Sequence, residues 1–484
     1  MVTRERMSHV DTAWLHMDRP SNLMQIVGVM LFEGQLDFER LRCSVAGRML
    51  GYARFRQCAM AEGNGYHWVE ADDFNLDNHL RRAVLPDPAG KAELQSFVAD
   101  LASTPLNPSR PLWELHLVDT ALGGQALIMR IHHSIADGMA LVGVIMAMTD
   151  SAPDAPAPRA MPSYSGAADG EDDFFWTAIY RPMTDAMLAS VRLSTNAWAK
   201  YVSLLSNPWQ VLDYAKVATG ITAEVAKLAT MADDTRTRFK GVPGTTKRVA
   251  WSEPISLPEV KAVGRVLGCS VNDMLLSAVA GALRAYLADH GEAVDAVELR
   301  ALVPVNLRAA ADAGTLGNRF GLVALELPVG LENPLARLYA TRERMERLKG
   351  SYQAPLTLTI LGAVGMAPKF IQQQILDLLA NKATAVMTNV PGPQQPLYLA
   401  GARLRQPLFW VPQSGDIGMG VSILSYDGMV QFGLITDHNL VPDPERIVAR
   451  FASEFEKLLW LVLLEPWERL ADPEAVAAAL APPG

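Results

Sequence analysis

The sequence predicts an α/β protein with two domains. Three observations indicate this class: the chain has 484 residues, strand-like and helix-like patterns alternate in both of its halves, and residues 151–170 between them consist mainly of alanine, proline, serine and glycine. Domains contain roughly 100–200 residues, so this length allows two or three of them. The intervening segment has too few large apolar side chains to form a core face, and we predict an exposed connector there.

Hydrophobic periodicity predicts alternating strands and helices before the connector. The apolar runs 114–119 and 125–133 surround a Gly-Gly pair, which is typical of two strands joined in a hairpin. The residues after Gly138 are apolar and uncharged, which indicates a buried helix. The other predicted elements are a strand at 24–34, a helix at 36–50 and a helix at 93–103.

The second half carries equally local signals. The SLPE sequence at 256–259 is a capping box, since serine and glutamate at this spacing can satisfy the first backbone N–H groups of a helix. The Asp-Gly pair at 427–428 suits a left-handed turn, so the apolar runs around it predict a hairpin at 421–435. The other predicted elements are a helix from 270 to 291, strands at 298–306 and 320–329, and an amphipathic helix at 443–464.

Composition and charge exclude several classes of protein. The 43 basic and 52 acidic residues give a net charge of −9, which argues against a nucleic-acid-binding protein with its basic surface. The cysteines, Cys43, Cys58 and Cys269, are too few and too scattered for a disulfide framework or a zinc module, and they fit a reducing cytoplasmic compartment. Prolines and polar residues interrupt the longest charge-free stretches, 350–368 and 383–402, so we predict no membrane span.

The segment 171–240 is helical in character and rich in tryptophan, tyrosine and phenylalanine. One interpretation is an aromatic core, which we favour. The other is an apolar surface for lipid, because tryptophan and tyrosine suit a membrane interface.

The most informative motif is HHSIADG at residues 132–138, between the predicted hairpin and the buried helix. Consecutive strand residues face opposite sides, so His132 and His133 cannot bind one metal ion together. A histidine at a strand end suits general-base catalysis, because its pKa lies near neutral pH. Asp137 can buttress the loop or cap the next helix, and Gly138 permits a tight turn.

A histidine base needs a partner group, and the sequence offers no protein nucleophile for it. The chain contains no GxSxG nucleophile elbow, and its cysteines lie in no recognisable catalytic motif. The pattern therefore favours direct transfer, in which the histidine deprotonates a substrate alcohol that attacks an activated acyl group.

The HHSIADG string matches the HHxxxDG motif of the CoA-dependent acyltransferase superfamily, and its surroundings resemble the bacterial wax ester synthase/diacylglycerol acyltransferase family. The chain departs from that family at LMQ (23–25) and YARFRQ (52–57), outside the histidine motif. The blocks that carry the resemblance are MSHVDTAWL (7–15), FNLDNHLRR (74–82), LNPSRPLWE (106–114), SVNDMLLSAVAGALRAYL (270–287), VPVNLR (303–308), GNRFG (317–321), NVPGP (389–393) and GMGVSILSYDGMVQFGLITD (418–437).

The resemblance implies two chloramphenicol-acetyltransferase-like domains with a substrate tunnel between them. It implies that His133 is the general base and that Asp137 is structural. We place the N-terminal acyltransferase domain at 1–150, a linker and helical crossover at 151–245, and the C-terminal acyltransferase-like domain at 246–484.

We therefore predict an O-acyltransferase that moves a long-chain acyl group from acyl-CoA to diacylglycerol, and also to long-chain alcohols. No cofactor is expected, since acyl-CoA is a substrate. The expected partners are acyl-CoA, the acceptor alcohol and a membrane or lipid-droplet surface, with the protein cytoplasmic and peripherally attached. Two alternatives stay open: an acyltransferase for another hydroxyl acceptor, and a non-catalytic protein that binds lipid or coats droplets.

Four other residues have expected roles. His132 is expected to support the motif structurally. Asn272 and Asp273 are candidates for the substrate side, although Asp273 also fits a helix cap. Arg308 either pairs with Asp137 or only solvates a loop.

A basic cluster follows the aromatic segment and contains no acidic residue. It is either a solvated linker, which we favour, or a contact for CoA phosphates or lipid headgroups. Its members are Arg236, Arg238, Lys240, Lys247 and Arg248.

Overall fold

The structure is a computed structural model that describes residues 4–62, 65–156, 232–306, 316, 318, 320–349 and 382–480. In these residues the helices are α1 (His9–Met17), α2 (Phe38–Gly47), α3 (Lys91–Ser103), α4 (Gly138–Met148), α5 (Leu257–Val266), α6 (Val271–Asp289), α7 (Pro334–Lys349), α8 (Pro444–Leu464) and α9 (Pro473–Leu480). The strands are β1 (Arg4–Arg6), β2 (Gln25–Glu33), β3 (Gln57–Glu62), β4 (Gly65–Glu70), β5 (Leu80–Ala83), β6 (Trp113–Thr120), β7 (Gly124–His132), β8 (Lys247–Trp251), β9 (Ile255–Ser256), β10 (Leu299–Asn306), β11 (Phe320–Leu327), β12 (Ala385–Pro391), β13 (Tyr398–Leu399), β14 (Ala402–Trp410), β15 (Met419–Tyr426) and β16 (Met429–Asp437).

The locally encoded elements lie where the sequence predicts them. The β6–β7 hairpin is antiparallel and closes with Thr120 opposite Gly124. The β15–β16 hairpin turns at Asp427 and Gly428, whose φ angles of 48° and 74° are left-handed, as an Asp-Gly turn requires. Ser256 and Ser270 cap α5 and α6 by accepting hydrogen bonds from backbone N–H groups three residues later.

The first sheet combines strands from both halves of the chain. Its order is β13-β14-β2-β7-β6-β5, so β7 and the histidine motif lie at its centre. β14 pairs with β2 in antiparallel fashion, from Arg403 opposite Glu33 to Trp410 opposite Val27. β14 belongs to the predicted C-terminal domain, 246–484, but it pairs with a strand of the first half. The sequence of β14 gives no sign of which sheet it joins, so this exchange was not predicted.

The second sheet has the order β11-β10-β12-β15-β16-β8, with β9 also pairing with β16. The neighbours β10, β12 and β15 are parallel, so their carboxyl ends lie at one edge. The α5, α6, α7 and α8 helices share one apolar core with this sheet. A small third sheet has the order β1-β4-β3.

An apolar cluster joins the two halves. It contains Leu94 and Val98 of α3, Trp251 of β8 and Trp410 of β14, all of them buried. The two sheets are therefore held together by packed side chains and by the exchange of β14.

Two segments with predicted structure lie largely outside the described residues. They are 157–170 of the connector and 171–231 of the aromatic segment. The predictions for both therefore stay predictions.

Over the described part of the chain, no single helix has the length and apolarity to cross a membrane. The bent pair α5 and α6 meets those two criteria only when both helices are taken together.

Candidate active site

The two motif histidines lie at the end of the central strand β7, and backbone hydrogen bonds fix both. The His132 N–H group donates to the Leu112 carbonyl at 2.9 Å, and the His133 N–H group donates to the Met24 carbonyl at 2.7 Å. Leu112 belongs to the PLW sequence, whose Trp113 continues the ladder opposite Ile131. This sequence therefore packs against and positions the strand that leads to the histidines.

The His132 ring is held inside the first domain. Its Nδ1 accepts a hydrogen bond from the Ser134 N–H group at 3.1 Å and lies 2.8 Å from Ser134 Oγ. The ring is buried, and burial followed by the charge of His133 lowers the pKa of His132 to about 3. This position suits a structural role, because the ring stays neutral and its Nδ1 lone pair is engaged.

The His133 ring lies between aromatic side chains. Trp14 stacks on it with a distance of 4.1 Å between ring centroids and an interplanar angle of 15°. Phe320 lies 5.5 Å away by the same measure. Burial lowers the pKa of His133, and this exceeds the opposing effects of its own carbonyl, of the Asp137 charge and of Asn318. The imidazole is therefore neutral at pH 7, the form that can accept a proton.

A chain of hydrogen-bonded side chains holds His133 through its Nδ1 atom. His133 Nδ1 lies 2.8 Å from Asn318 Oδ1. Asn318 Nδ2 donates to Asp11 Oδ1 and to the His133 carbonyl, each at 2.8 Å. All three residues are buried, and burial raises the pKa of Asp11 against the effect of its hydrogen bonds with Asn318 and Ser8.

Sequence reasoning missed Asp11 and Asn318 as site residues. They lie in the MSHVDTAWL and GNRFG blocks, which resemble the family but contain no recognisable catalytic pattern of their own. The available signal was a polar residue within each of these blocks. Only the fold shows that both residues are buried and lie next to His133.

Asp137 and Gly138 form the start of α4. Asp137 is the N-cap and accepts a hydrogen bond from the Ala140 N–H group at 2.8 Å, one of the two roles predicted for it. Gly138 is the first residue of α4; its φ is not left-handed, and an added Cβ would meet only Val411, at 4.0 Å. The turn therefore does not require a glycine at this position.

Asn272 and Asp273 take different roles. The Asp273 carboxylate accepts from the Ser270 N–H group at 2.8 Å and so completes a capping box at the start of α6. Asn272 Oδ1 instead accepts from Asn389 Nδ2 of β12 at 3.0 Å. The structure thus gives Asp273 the helix-cap role, and it leaves Asn272 as the substrate-side candidate.

The Asn272–Asn389 pair lies at the edge of the second sheet that faces the histidine. Asn306 ends β10 and pairs with Phe320, the ring next to His133. β12 runs parallel to β10, and Asn389 lies near its carboxyl end. The pair and Phe320 therefore share one edge of this sheet.

The basic cluster does not form one surface. Lys247 is buried, and its ammonium donates to Asn22 Oδ1 at 2.8 Å and to Asp437 Oδ2 at 3.2 Å. The Lys240 ammonium donates to the Ala383 carbonyl, and the Arg238 guanidinium lies over the Tyr286 ring.

Only two members of the cluster, Arg236 and Arg248, have exposed side chains. Neither interpretation of the cluster, a solvated linker or a contact for CoA phosphates or lipid headgroups, holds for the buried Lys247, whose charge is compensated inside the protein. Arg308 lies outside the described residues. In the part of the chain that is described, no group of three or more His, Cys, Asp and Glu residues could hold a metal ion.

Comparisons with known proteins agree on one family. The model of the wax ester synthase/diacylglycerol acyltransferase catalytic domain matches residues 7–275, and that of the WS/DGAT C-terminal domain matches residues 316–459. The Mycobacterium tuberculosis protein tgs2, named a probable diacylglycerol O-acyltransferase, is 29% identical over 398 residues, covering 81% of this chain and 83% of its own.

Solved structures share the fold. The wax ester synthase/diacylglycerol acyltransferase from Marinobacter aquaeolei VT8 superposes with a TM-score of 0.65 and 21% identity, over 95% of this chain and 100% of its own. The first condensation domain of the calcium-dependent antibiotic synthetase does so with a TM-score of 0.58 and 16% identity, over 97% of both chains. Since the catalytic-domain model alone matches more than half of the sequence, the chain belongs to the wax ester synthase/diacylglycerol acyltransferase family.

Proposed function

We propose that this acyltransferase moves a long-chain acyl group from acyl-CoA to the free hydroxyl group of diacylglycerol, and secondarily to long-chain alcohols. The observation that carries the mechanism is the buried imidazole of His133, fixed at the end of β7 between Trp14 and Phe320, within the residues that match the family's catalytic domain. The reaction needs a base for an alcohol, and an imidazole with this environment supplies one.

In the proposed reaction His133 removes the proton of the acceptor hydroxyl as its oxygen attacks the thioester carbonyl carbon. The tetrahedral intermediate then collapses, the carbon–sulfur bond breaks, and the imidazolium returns the proton to the CoA sulfur. The products are an ester and free CoA-SH, so atoms and charge balance. The step requires no metal ion, no bound cofactor and no covalent enzyme intermediate.

The surroundings of His133 support this step. Trp14 and Phe320 cover the ring with apolar surface, which excludes water that would otherwise compete with the alcohol for the thioester. The Asn272–Asn389 pair lies at the same sheet edge as Phe320, and we propose it as a polar contact on the substrate side.

Acceptor profiling of the purified protein tests the proposal. One labelled acyl-CoA, palmitoyl-CoA, is supplied with diacylglycerol, with hexadecanol, with a short water-soluble alcohol or with no acceptor, and both labelled ester and free thiol are measured. We expect ester and thiol in equal amounts, most with diacylglycerol. Product with only the short alcohol would support another hydroxyl acceptor, and lipid binding without any thiol release would support the non-catalytic alternative.

We also propose that the protein meets its acceptors at a membrane or lipid-droplet surface as a peripheral protein. Diacylglycerol, fatty alcohols and their esters are insoluble in water, so transfer has to occur where they collect. Large apolar side chains at the end of α8 and just beyond it support such contact, since tryptophan favours the interface between lipid and water. These are Trp460, Leu463, Leu464 and Trp467, which are 56%, 63%, 70% and 65% exposed.

A further inference from the structure

The orientation of one amide decides which nitrogen of the catalytic ring carries a proton. Asn318 Nδ2 faces Asp11 Oδ1 and the His133 carbonyl oxygen, each at 2.8 Å. A backbone carbonyl oxygen only accepts hydrogen bonds, so the His133 carbonyl by itself requires the NH₂ group on this side of the amide. The amide is therefore held with its NH₂ group toward these oxygens and its Oδ1 toward the imidazole.

The histidine must supply the proton of its bond with Asn318. Asn318 Oδ1 only accepts, and it lies 2.8 Å from His133 Nδ1. A neutral imidazole carries one N–H group, so Nδ1 is the protonated nitrogen and Nε2 keeps its lone pair. Only this tautomer can remove a proton from an alcohol through Nε2.

The neighbouring histidine, His132, has the opposite tautomer. Membership of the histidine pair therefore does not by itself determine which ring nitrogen is protonated. The Ser134 backbone N–H group donates to His132 Nδ1, so the proton of this neutral ring lies on Nε2. Two adjacent histidines with equal intrinsic chemistry thus differ because their hydrogen-bond partners differ.

We propose that Asn318, held in its orientation by Asp11, is a positioning residue that fixes His133 as the Nδ1-protonated tautomer required for acyl transfer. Asp11 and His133 belong to the first half of the chain, whereas Asn318 is 185 residues beyond His133. The base is consequently complete only when the two halves are packed together. This inference deepens the proposed function and rests on it for its catalytic consequence.

The tautomer itself is measured without substrate. Long-range proton–nitrogen NMR correlations of protein labelled with ¹⁵N-histidine distinguish a protonated ring nitrogen from a bare one, and single His→Asn variants assign the signals among the 9 histidines. We expect protonated Nδ1 in His133 and protonated Nε2 in His132. In Asn318→Ala we expect His133 to lose its single tautomer, while the His132 signal is unchanged.

A pair of substitutions at Asp11 separates positioning from folding. Asp11→Ala removes the acceptor that orients the amide, whereas Asp11→Asn keeps an oxygen that can still accept from Asn318 Nδ2. We expect Asn318→Ala and Asp11→Ala to lower kcat roughly 10–100-fold. This is the range found when the hydrogen-bond partners that orient metal-binding histidines are removed. KM for acyl-CoA should stay near the wild-type value, and Asp11→Asn should restore the tautomer and much of the lost kcat.

Three results would overturn the inference. The first is a His133 ring protonated on Nε2 in the wild-type protein. The second is an unchanged tautomer and kcat in Asn318→Ala, which would mean that the ring's own carbonyl suffices. The third is equal loss in Asp11→Ala and Asp11→Asn. If the ring has the expected tautomer but diacylglycerol is not acylated, the proposed function fails and the positioning of the ring stands.

Discussion

His132 and His133 share one buried strand end, yet each ring meets different partners. Ser134 engages the first ring through Nδ1, and Asn318 engages the second. Burial lowers the pKa of both, so both are neutral at pH 7. We therefore attribute the different roles proposed for them to hydrogen bonding and orientation.

Removing the proposed base should abolish transfer without unfolding the protein. We expect His133→Ala to reduce kcat by about 10²–10⁴-fold, the usual contribution of a positioned acid–base group. Thiol release from palmitoyl-CoA with diacylglycerol measures this, and circular dichroism checks the fold. Near-normal turnover by a folded His133→Ala protein would eliminate the mechanism.

The pKa of His132 predicts how stability depends on pH. Its folded-state pKa is about 3 and its unfolded value is about 6.5, so the unfolded chain binds a proton first as the pH falls. This group therefore destabilises the fold progressively between pH 6.5 and 3. Denaturant unfolding across that range should be less dependent on pH in His132→Asn than in the wild type, because asparagine does not titrate. Parallel curves would show that His132 is not buried as a neutral ring.

At the scale of elements, the strand–loop–helix unit from β7 to α4 brings the motif together. Asp137 caps α4 and also acts on His133 through its charge, which opposes the lowering of the histidine pKa. One carboxylate therefore contributes both to the helix cap and to the electrostatic environment of the proposed base.

Substitutions at Asp137 can separate these two contributions. Asp137→Ala removes the cap and should cost about 1 kcal/mol of unfolding free energy, whereas Asp137→Asn retains a capping oxygen and should cost less. Both remove the charge that raises the pKa of His133, so the acidic limb of kcat/KM should move to lower pH in both. Thermal unfolding and the pH profile are the measurements. An unchanged melting temperature in Asp137→Ala would exclude the cap as its main structural role.

Elements encoded by adjacent residues were predictable from the sequence, and distant pairings were not. The β15–β16 hairpin follows from Asp427 and Gly428, because an Asp-Gly turn needs only its own backbone geometry. The placement of β14 in the first sheet depends on its contacts with β2, far away in the chain. Asn318 and Asp11 lie 307 residues apart, so no local pattern could place them beside one histidine.

At the scale of the whole molecule, buried polar contacts link the two halves beside the shared apolar cluster. Lys247 of β8 contacts both Asp437 of β16 and Asn22, which precedes β2. Asn22 also donates to the carbonyl groups of Gly415 and Ile417, at 2.6 and 3.2 Å. The contacts that cross between the halves are therefore those of Asn22, and the Lys247–Asp437 ion pair within the second half compensates the charge of the lysine that Asn22 contacts.

Breaking this pair should cost far more than breaking an exposed one. Lys247→Met leaves the fully buried Asp437 carboxylate without its cation, a loss of about 3–5 kcal/mol for one-sided removal. Lys91→Met is the matched control, since it removes the same charged group from the Lys91–Glu253 pair, which is exposed and worth at most about 1 kcal/mol. Equal unfolding free energies for the two variants would show that the buried contacts of Lys247 stabilise the protein no more than the exposed pair does.

Attachment to lipid should depend on apolar side chains more than on the basic cluster. Trp460 and Trp467 are 56% and 65% exposed, whereas Arg236 and Arg248 are the only exposed side chains of the basic cluster. We expect the wild-type protein to co-sediment with liposomes that contain diacylglycerol. The double variant of Trp460 and Trp467 to alanine should sediment less, at low and at high salt alike, because burial of apolar surface is not screened. The matched double variant of Arg236 and Arg248 to glutamine should lose only the part of the binding that salt also removes. If the arginine variant alone fails to bind, and the tryptophan variant binds as the wild type does, the attachment is electrostatic and the end of α8 is not the contact.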